Sequence, residues 1–85
     1  MKAFVITIDE VYDYEEMGHK PEVFLNEEKA KARFKELVED AKAEYEETYD
    51  DYDSEEYNNK FECYEEGYAS QNHYYVRLEE VEVEE

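Results

Sequence analysis

The chain has 85 residues and a formal net charge of −18, from 27 Asp and Glu against nine Lys and Arg. That balance disfavours direct binding of DNA, RNA or an anionic membrane, because affinity for those polyanions is built from Lys and Arg neutralising phosphates. A chain this short is one domain, residues 1–85, burying only about 60% of its unfolded surface and leaving little room for a cofactor or a deep catalytic cleft. Its 41% hydrophobic and 16% aromatic content nevertheless exceeds what a disordered acidic chain carries.

Lys2 to Ile8 is rich in β-branched and aromatic residues (Phe4, Val5, Ile6, Thr7, Ile8) and predicts a central strand that frays through Val11 and Tyr12. Its apolar run is too short for a signal peptide core or a membrane span. Asp13 to Pro21 holds one of two glycines and the only proline, and reads as a connection, with a short optional strand over Glu22 to Leu25. Asn26 is suited to an N-cap, with Glu27 and Glu28 in the favourable first turn. Ala30, Phe34, Leu37, Val38, Ala41 and Tyr45 then recur at spacings of three and four, and Tyr49 and Tyr52 extend the stripe, permitting a helix of up to about 27 residues. Tyr57 to Glu65 alternates weakly, with Phe61 and Cys63 on one face, and reads as a half-exposed strand before the Gly67 turn. The last strand runs from about His73 to Glu84, with Tyr74, Val76 and Leu78 of one parity and Val81 and Val83 of the other. The change at Glu79-Glu80 predicts a β-bulge or a bend. The expected fold is α+β: one long helix on one face of a small, mainly antiparallel sheet of three to four strands, in the order β-(β)-α-β-β.

The charge is unevenly placed. Between Glu44 and Tyr57 the sequence EYEETYDDYDSEEY has eight acids, Glu44, Glu46, Glu47, Asp50, Asp51, Asp53, Glu55 and Glu56, and no base. Acids in the last turns of a helix oppose its dipole, and like charges at i,i+4 such as Glu46 with Asp50 cost a few tenths of a kcal/mol each. Local rules broken without compensation point to function. Were the run helical or tightly folded, its eight charges over about 21 Å would approach the roughly twelve phosphates of a duplex of that length. With Tyr49, Tyr52 and Tyr57 as rigid aromatic contacts for Arg, these residues form the candidate partner-binding surface, joined by Asp9 to Glu16 and the tail Glu79 to Glu85.

Other constellations are weaker. Asp51, Asp53, Glu55, Asn59 and Glu62 match five positions of a calcium-binding EF-hand loop, but the glycine that loop requires is Glu56 and no second helix follows, so coincidence is the better account. His19 and His73 lack ligand-spaced partners for zinc. Cys63, the only cysteine, reads as a small core residue; it excludes an intramolecular disulfide and suits a reducing cytoplasm. No phosphate-cradling glycine loop is visible. The expectation is a non-enzyme without cofactor or metal.

The segments FVITIDEVYDYEE, VFLNEEKAKARF and YEEGYASQNHYYVRLEEVEVE give the chain a style that resembles the small acidic, Tyr- and Glu-rich proteins common in phages and other mobile elements. Some proteins of that kind imitate DNA and block restriction, CRISPR or other nucleic-acid-handling enzymes. The resemblance implies a DNA-mimic inhibitor, an anti-CRISPR or anti-restriction module, whose partner is a basic, nucleic-acid-binding protein. The alternative is a small soluble protein, natural or designed, whose acidity serves solubility or weak divalent-cation binding. Both a monomer and a homodimer through a sheet edge are open, the latter only if two subunits hide their acidic faces from one another.

Overall fold

A computed structural model describes residues 1–84. Seven elements follow in chain order: β1 (Lys2–Tyr12), β2 (Glu15–Met17), β3 (Glu22–Phe24), α1 (Glu27–Thr48), β4 (Tyr52–Glu56), β5 (Lys60–Glu65) and β6 (His73–Glu82). The strands form one sheet in the order β2-β1-β6-β5-β4, with β3 also paired to β1 beyond β2, and every pairing is antiparallel. The helix-on-sheet α+β architecture is the expected one. The sheet has six strands rather than three or four, and the molecule extends 47 × 21 × 15 Å.

The extra strands come from turns whose chemistry is unusual. Within the expected Asp13–Pro21 connection, Asp13 and Tyr14 adopt φ of 50° and 68°, the left-handed geometry of a two-residue hairpin loop, and fold β2 back on the end of β1. Such loops favour Asn and Gly, so Asp-Tyr gives no hairpin signal in the sequence. The strand expected over Tyr57 to Glu65 is in fact the second arm of a hairpin. Tyr52–Glu56 forms the first, and Tyr57 N–H donates to the Lys60 carbonyl at 2.8 Å to close the turn.

Helix α1 begins as its cap predicts: the Asn26 side chain accepts from Lys29 N–H at 3.0 Å, and Glu27 and Glu28 fill the first turn. Ala30, Phe34, Leu37, Val38, Ala41 and Tyr45 are the buried stripe. They close over Phe4, Ile6, Phe61, Cys63, Tyr74, Val76 and Leu78, each large apolar side chain contributing about 1.5–3 kcal/mol by leaving water. The helix stops at Thr48, four residues short of the longest extent the pattern allows. Tyr49 is extended, its N–H still donating to the Tyr45 carbonyl, and the last turn holds no base to offset the dipole. Tyr49 and Tyr52 do pack on the core, but from the turn and from β4.

No bulge interrupts β6. Its register with β1 is continuous from Lys2↔Glu82 to Val11↔His73. The parity change is real for another reason: past Leu78 the helix-side positions Glu80 and Glu82 are exposed, while Val81, opposite Ala3, turns its apolar side chain to the face away from the helix. Glu85 lies outside the described residues.

Candidate interaction surface

The structure disperses the predicted acidic run over three elements. Glu44, Glu46 and Glu47 end α1; Asp50 and Asp51 form the turn; Asp53, Glu55 and Glu56 lie on β4. At about 100° per residue, Glu44 falls on the flank of α1 away from β4, and Glu46 and Glu47 both turn toward solvent, Glu46 on the β4 side and Glu47 on the other. Along β4, Asp53 and Glu55 point away from the helix, whereas Glu56 points toward it and pairs with Lys42, whose ammonium it holds above its usual range. There is therefore no single acidic helix face. β4 runs back beside the end of α1, so the run is tightly folded: Tyr45 and Tyr52 bring their ring centroids to 6.1 Å.

What the fold does with the whole chain is more informative. The row Ile8–Val76–Phe61–Glu56 crosses the sheet, and Lys42 meets it from the helix, 5.8 Å from the Phe61 ring. On the side of this line that holds the helix C-terminus stand Asp9, Glu10, Asp13, Glu15 and Glu16 from β1, β2 and their turn, with Glu44, Glu46 and Glu47 from α1. Asp50, Asp51, Asp53 and Glu55 join them from the next turn and β4, and Glu62, Glu65 and Glu66 from β5 and the residue after it. These are fifteen acids, and among the described residues no Lys or Arg accompanies them. The rest of the sequence sets all nine bases against twelve acids, so the net charge of −18 divides into −15 and −3. The negative end of the helix dipole adds to the acidic pole. Asp9 to Glu16 belongs to it as expected, whereas Glu79 to Glu84 lies at the opposite end, where Glu80 pairs with Lys2.

Nine of the ten tyrosines share the pole, while Phe4, Phe24, Phe34 and Phe61 lie on the line or beyond it. A Tyr ring covers core with its body and meets water with its hydroxyl, so it closes a core whose end is highly charged. Tyr49 and Tyr52, expected as free anchors, are half-buried in this cap, and Tyr57 stands exposed at the line with Lys60 Nζ 4.7 Å above its ring. The exposed tyrosines of the pole are Tyr12 and Tyr14, within the expected Asp9–Glu16 segment but not singled out there as contacts, and Tyr68, which the sequence pattern gave no reason to include; Tyr14, left-handed, is 71% exposed. Buried Asn72 ties these loops together. Its Oδ1 accepts from Asp13 N–H and its Nδ2 donates to Glu65 Oε1, both at 3.0 Å, while Tyr14 N–H donates to the Gln71 carbonyl at 3.1 Å.

On the face away from the helix, His73 stacks on Tyr75 and tilts against Tyr64, at 6.5 Å between centroids, with Nε2 2.8 Å from Glu62 Oε1. Asp9, Asp53, Glu55 and Glu62 ring these aromatics, and Asp53 raises the Tyr64 hydroxyl's pKa by its charge. Glu55 and Glu62 sit directly opposite one another, a like-charge pair that costs stability. A surface of aromatic faces bordered by carboxylates suits Arg and Lys side chains. The would-be EF-hand residues Asp51 to Glu62 form the β4–β5 hairpin, and among the described residues no three His, Cys, Asp or Glu converge to hold a metal ion. Cys63 is buried, and burial pushes its thiol up to about 12. No helix among the described residues is long and apolar enough to cross a membrane. No protein-family model, curated protein or solved structure matches the chain.

Proposed function

We propose that the chain is an acidic interaction module that docks, acidic pole first, on the basic nucleic-acid-binding groove of a partner protein, occupying it in place of DNA. One observation carries this reading: fifteen unbalanced acids in about half of the 47 Å long axis. Over those roughly 24 Å a DNA duplex carries about 14 phosphates. Like charge at that density costs folding stability, and the other end of the molecule shows that the sequence can balance its acids. Long-range attraction speeds encounter, and Tyr12, Tyr14 and Tyr68 supply rings that stack on Arg. The role needs no catalysis. Cys63 is enclosed with a raised pKa, which opposes nucleophile duty, and a lone thiol suits the reducing cytoplasm. A restriction or CRISPR effector fits the description of the partner.

Competition assays test it: the chain is titrated against a labelled duplex bound to purified restriction and CRISPR effectors. Displacement is expected to weaken steeply with salt. The triple variant D50N/D51N/D53N is expected to lose about tenfold or more in affinity, because it removes charge from the pole. E79Q/E80Q/E82Q removes as much charge from the other end and is expected to lose far less. Equal losses would reduce the effect to bulk charge, and salt-independent displacement would overturn the mechanism. If the acidity serves solubility or weak cation binding, neither triple variant displaces less than the parent.

A further inference from the structure

The helix covers one face of the sheet, and the other face builds the acidic pole differently. Under the helix, Tyr45, Tyr49 and Tyr52 turn their rings to one another and to the core. On the open face Tyr64, His73 and Tyr75 are half-buried, with no element above them. Next to Tyr75 lies a cavity of about 70 Å³, lined by Glu55, Tyr57, Lys60, Phe61, Glu62 and Tyr75. Register puts Glu55, Glu62 and Tyr75 in one row across β4, β5 and β6, all three directed away from the helix. Lys60 Nζ stands 4.7 Å above the Tyr57 ring, so one ring of this cavity already faces a cation. That ammonium forms no ion pair with Glu55 or Glu62. Among the described residues Glu62 has His73 as its one ionic partner, and no base reaches Glu55.

We propose that this cavity receives an arginine side chain of the partner, whose guanidinium bridges Glu55 and Glu62 and lies against the Tyr75 ring. The assignment deepens the docking reading above: it rests on that reading for the partner and on the cavity for the side chain. The chemistry selects arginine. Two carboxylates directly opposite one another repel, and a cation between them turns that cost into attraction. His73 Nε2, 2.8 Å from Glu62 Oε1, steadies that carboxylate and leaves its other oxygen for the guanidinium. About 10–15 Å³ admits one water, so a cavity of about 70 Å³ admits a guanidinium head. Its planar fork of donors serves both carboxylates while its face stacks on a ring, whereas an ammonium is a compact point charge that does not stack. A divalent cation is a poorer occupant, because it needs a shell of oxygen ligands and no three acids converge among the described residues. The open sheet face is thereby the docking face, and α1 points to solvent in the complex.

Calorimetric titration with an Arg-Gly repeat peptide and its Lys-Gly counterpart of equal length and charge tests this, at physiological salt, where a Debye length of about 8 Å screens distant charge. The arginine peptide is expected to bind about tenfold more tightly than the lysine peptide. It is also expected to shift the His73 and Tyr75 ring resonances in NMR spectra. E55Q/E62Q relieves a repulsion, so it is expected to keep the parental circular dichroism and to melt no lower, while losing about tenfold in affinity for the arginine peptide. E46Q/E47Q removes as much charge from the helix side of the pole and is expected to lose far less. Equal affinities for the two peptides, equal losses in the two variants, or shifts on Tyr12 and Tyr49 in place of Tyr75 overturn the assignment. Duplex displacement separates it from the docking reading. A parent and an E55Q/E62Q variant that displace duplex equally well overturn the cavity and leave the pole. Arginine selectivity that E55Q/E62Q abolishes, in a parent that displaces no duplex, upholds the cavity and overturns the nucleic-acid-groove reading.

Discussion

Tyr14 holds a left-handed backbone that costs an L-residue about 1–2 kcal/mol, part of which glycine would return as lost chain entropy. Tyr14→Gly, creating the Asp-Gly pair such hairpins favour, is therefore expected to stabilise the fold by about 0.5–1 kcal/mol in urea denaturation. The same change removes an exposed ring from the pole and is expected to weaken partner binding. Opposite signs in the two assays would identify a strained residue kept for contact. Cys63 makes a second residue-scale prediction. Burial lifts its thiol from an ordinary value near 9 to about 12, so the folded state favours the neutral form. The stability this represents is complete below about pH 9 and is lost as pH rises through the window to about 12, by roughly a factor of ten in the folding equilibrium per pH unit. Tyr45 and Tyr74, raised by burial as well, add their losses above about pH 10. Urea midpoints measured against pH are expected to begin falling near pH 9 in the parent, and about one unit later in Cys63→Val.

At the scale of elements, the end of α1 is the least favourable part of the fold. Its last turn has Glu46 and Glu47, no base and no glycine cap. Glu46→Lys and Glu47→Lys are each expected to stabilise the protein by about 0.5 kcal/mol, read from the denaturation midpoint, by complementing the dipole and relieving repulsion. The body of this helix was legible from Asn26 to Tyr45 because a cap and a spacing of three and four both depend on local sequence. Its end was not, because Tyr49 and Tyr52 touch the same core from a turn and a strand, and the periodicity records contact with the core without recording the element that makes it. β2 escaped for a complementary reason: Asp13-Tyr14 takes a turn geometry its residue types do not favour, held by Asn72 and Gln71 from nearly 60 residues further along.

For the whole molecule, the separation of charge along the long axis predicts a stability that depends on salt. Screening fifteen clustered acids relieves repulsion in the folded state, so the melting temperature is expected to rise as salt is added from a few millimolar to a few hundred millimolar, by calorimetry. D50N/D51N/D53N is expected to flatten that dependence more than E79Q/E80Q/E82Q. The candidate surface was legible in part: the densest acidic run, Glu44 to Tyr57, lies in or at the border of the pole, and Asp9 to Glu16, with Tyr12 and Tyr14, joins it, but Glu62, Glu65, Glu66 and the exposed Tyr68 arrive from β5 and the turn after it.

The amino-acid sequence by itself determined the sign and size of the charge, the α+β class, the helix body with its buried stripe and the strand content of both termini, because each depends on composition or on short-range periodicity. Only the tertiary structure decided that the charge forms a pole. Up to Lys42, α1 sets five bases against five acids, and beyond it come only the acids Glu44, Glu46 and Glu47; that linear gradient becomes three-dimensional only when antiparallel pairing brings the end of β1, the start of β6, the end of β5 and the turn before β4 to the same end of one sheet. Register likewise decided which face Val81 and Val83 take, turning an apparent break in a strand into an apolar patch on the uncovered side of the sheet.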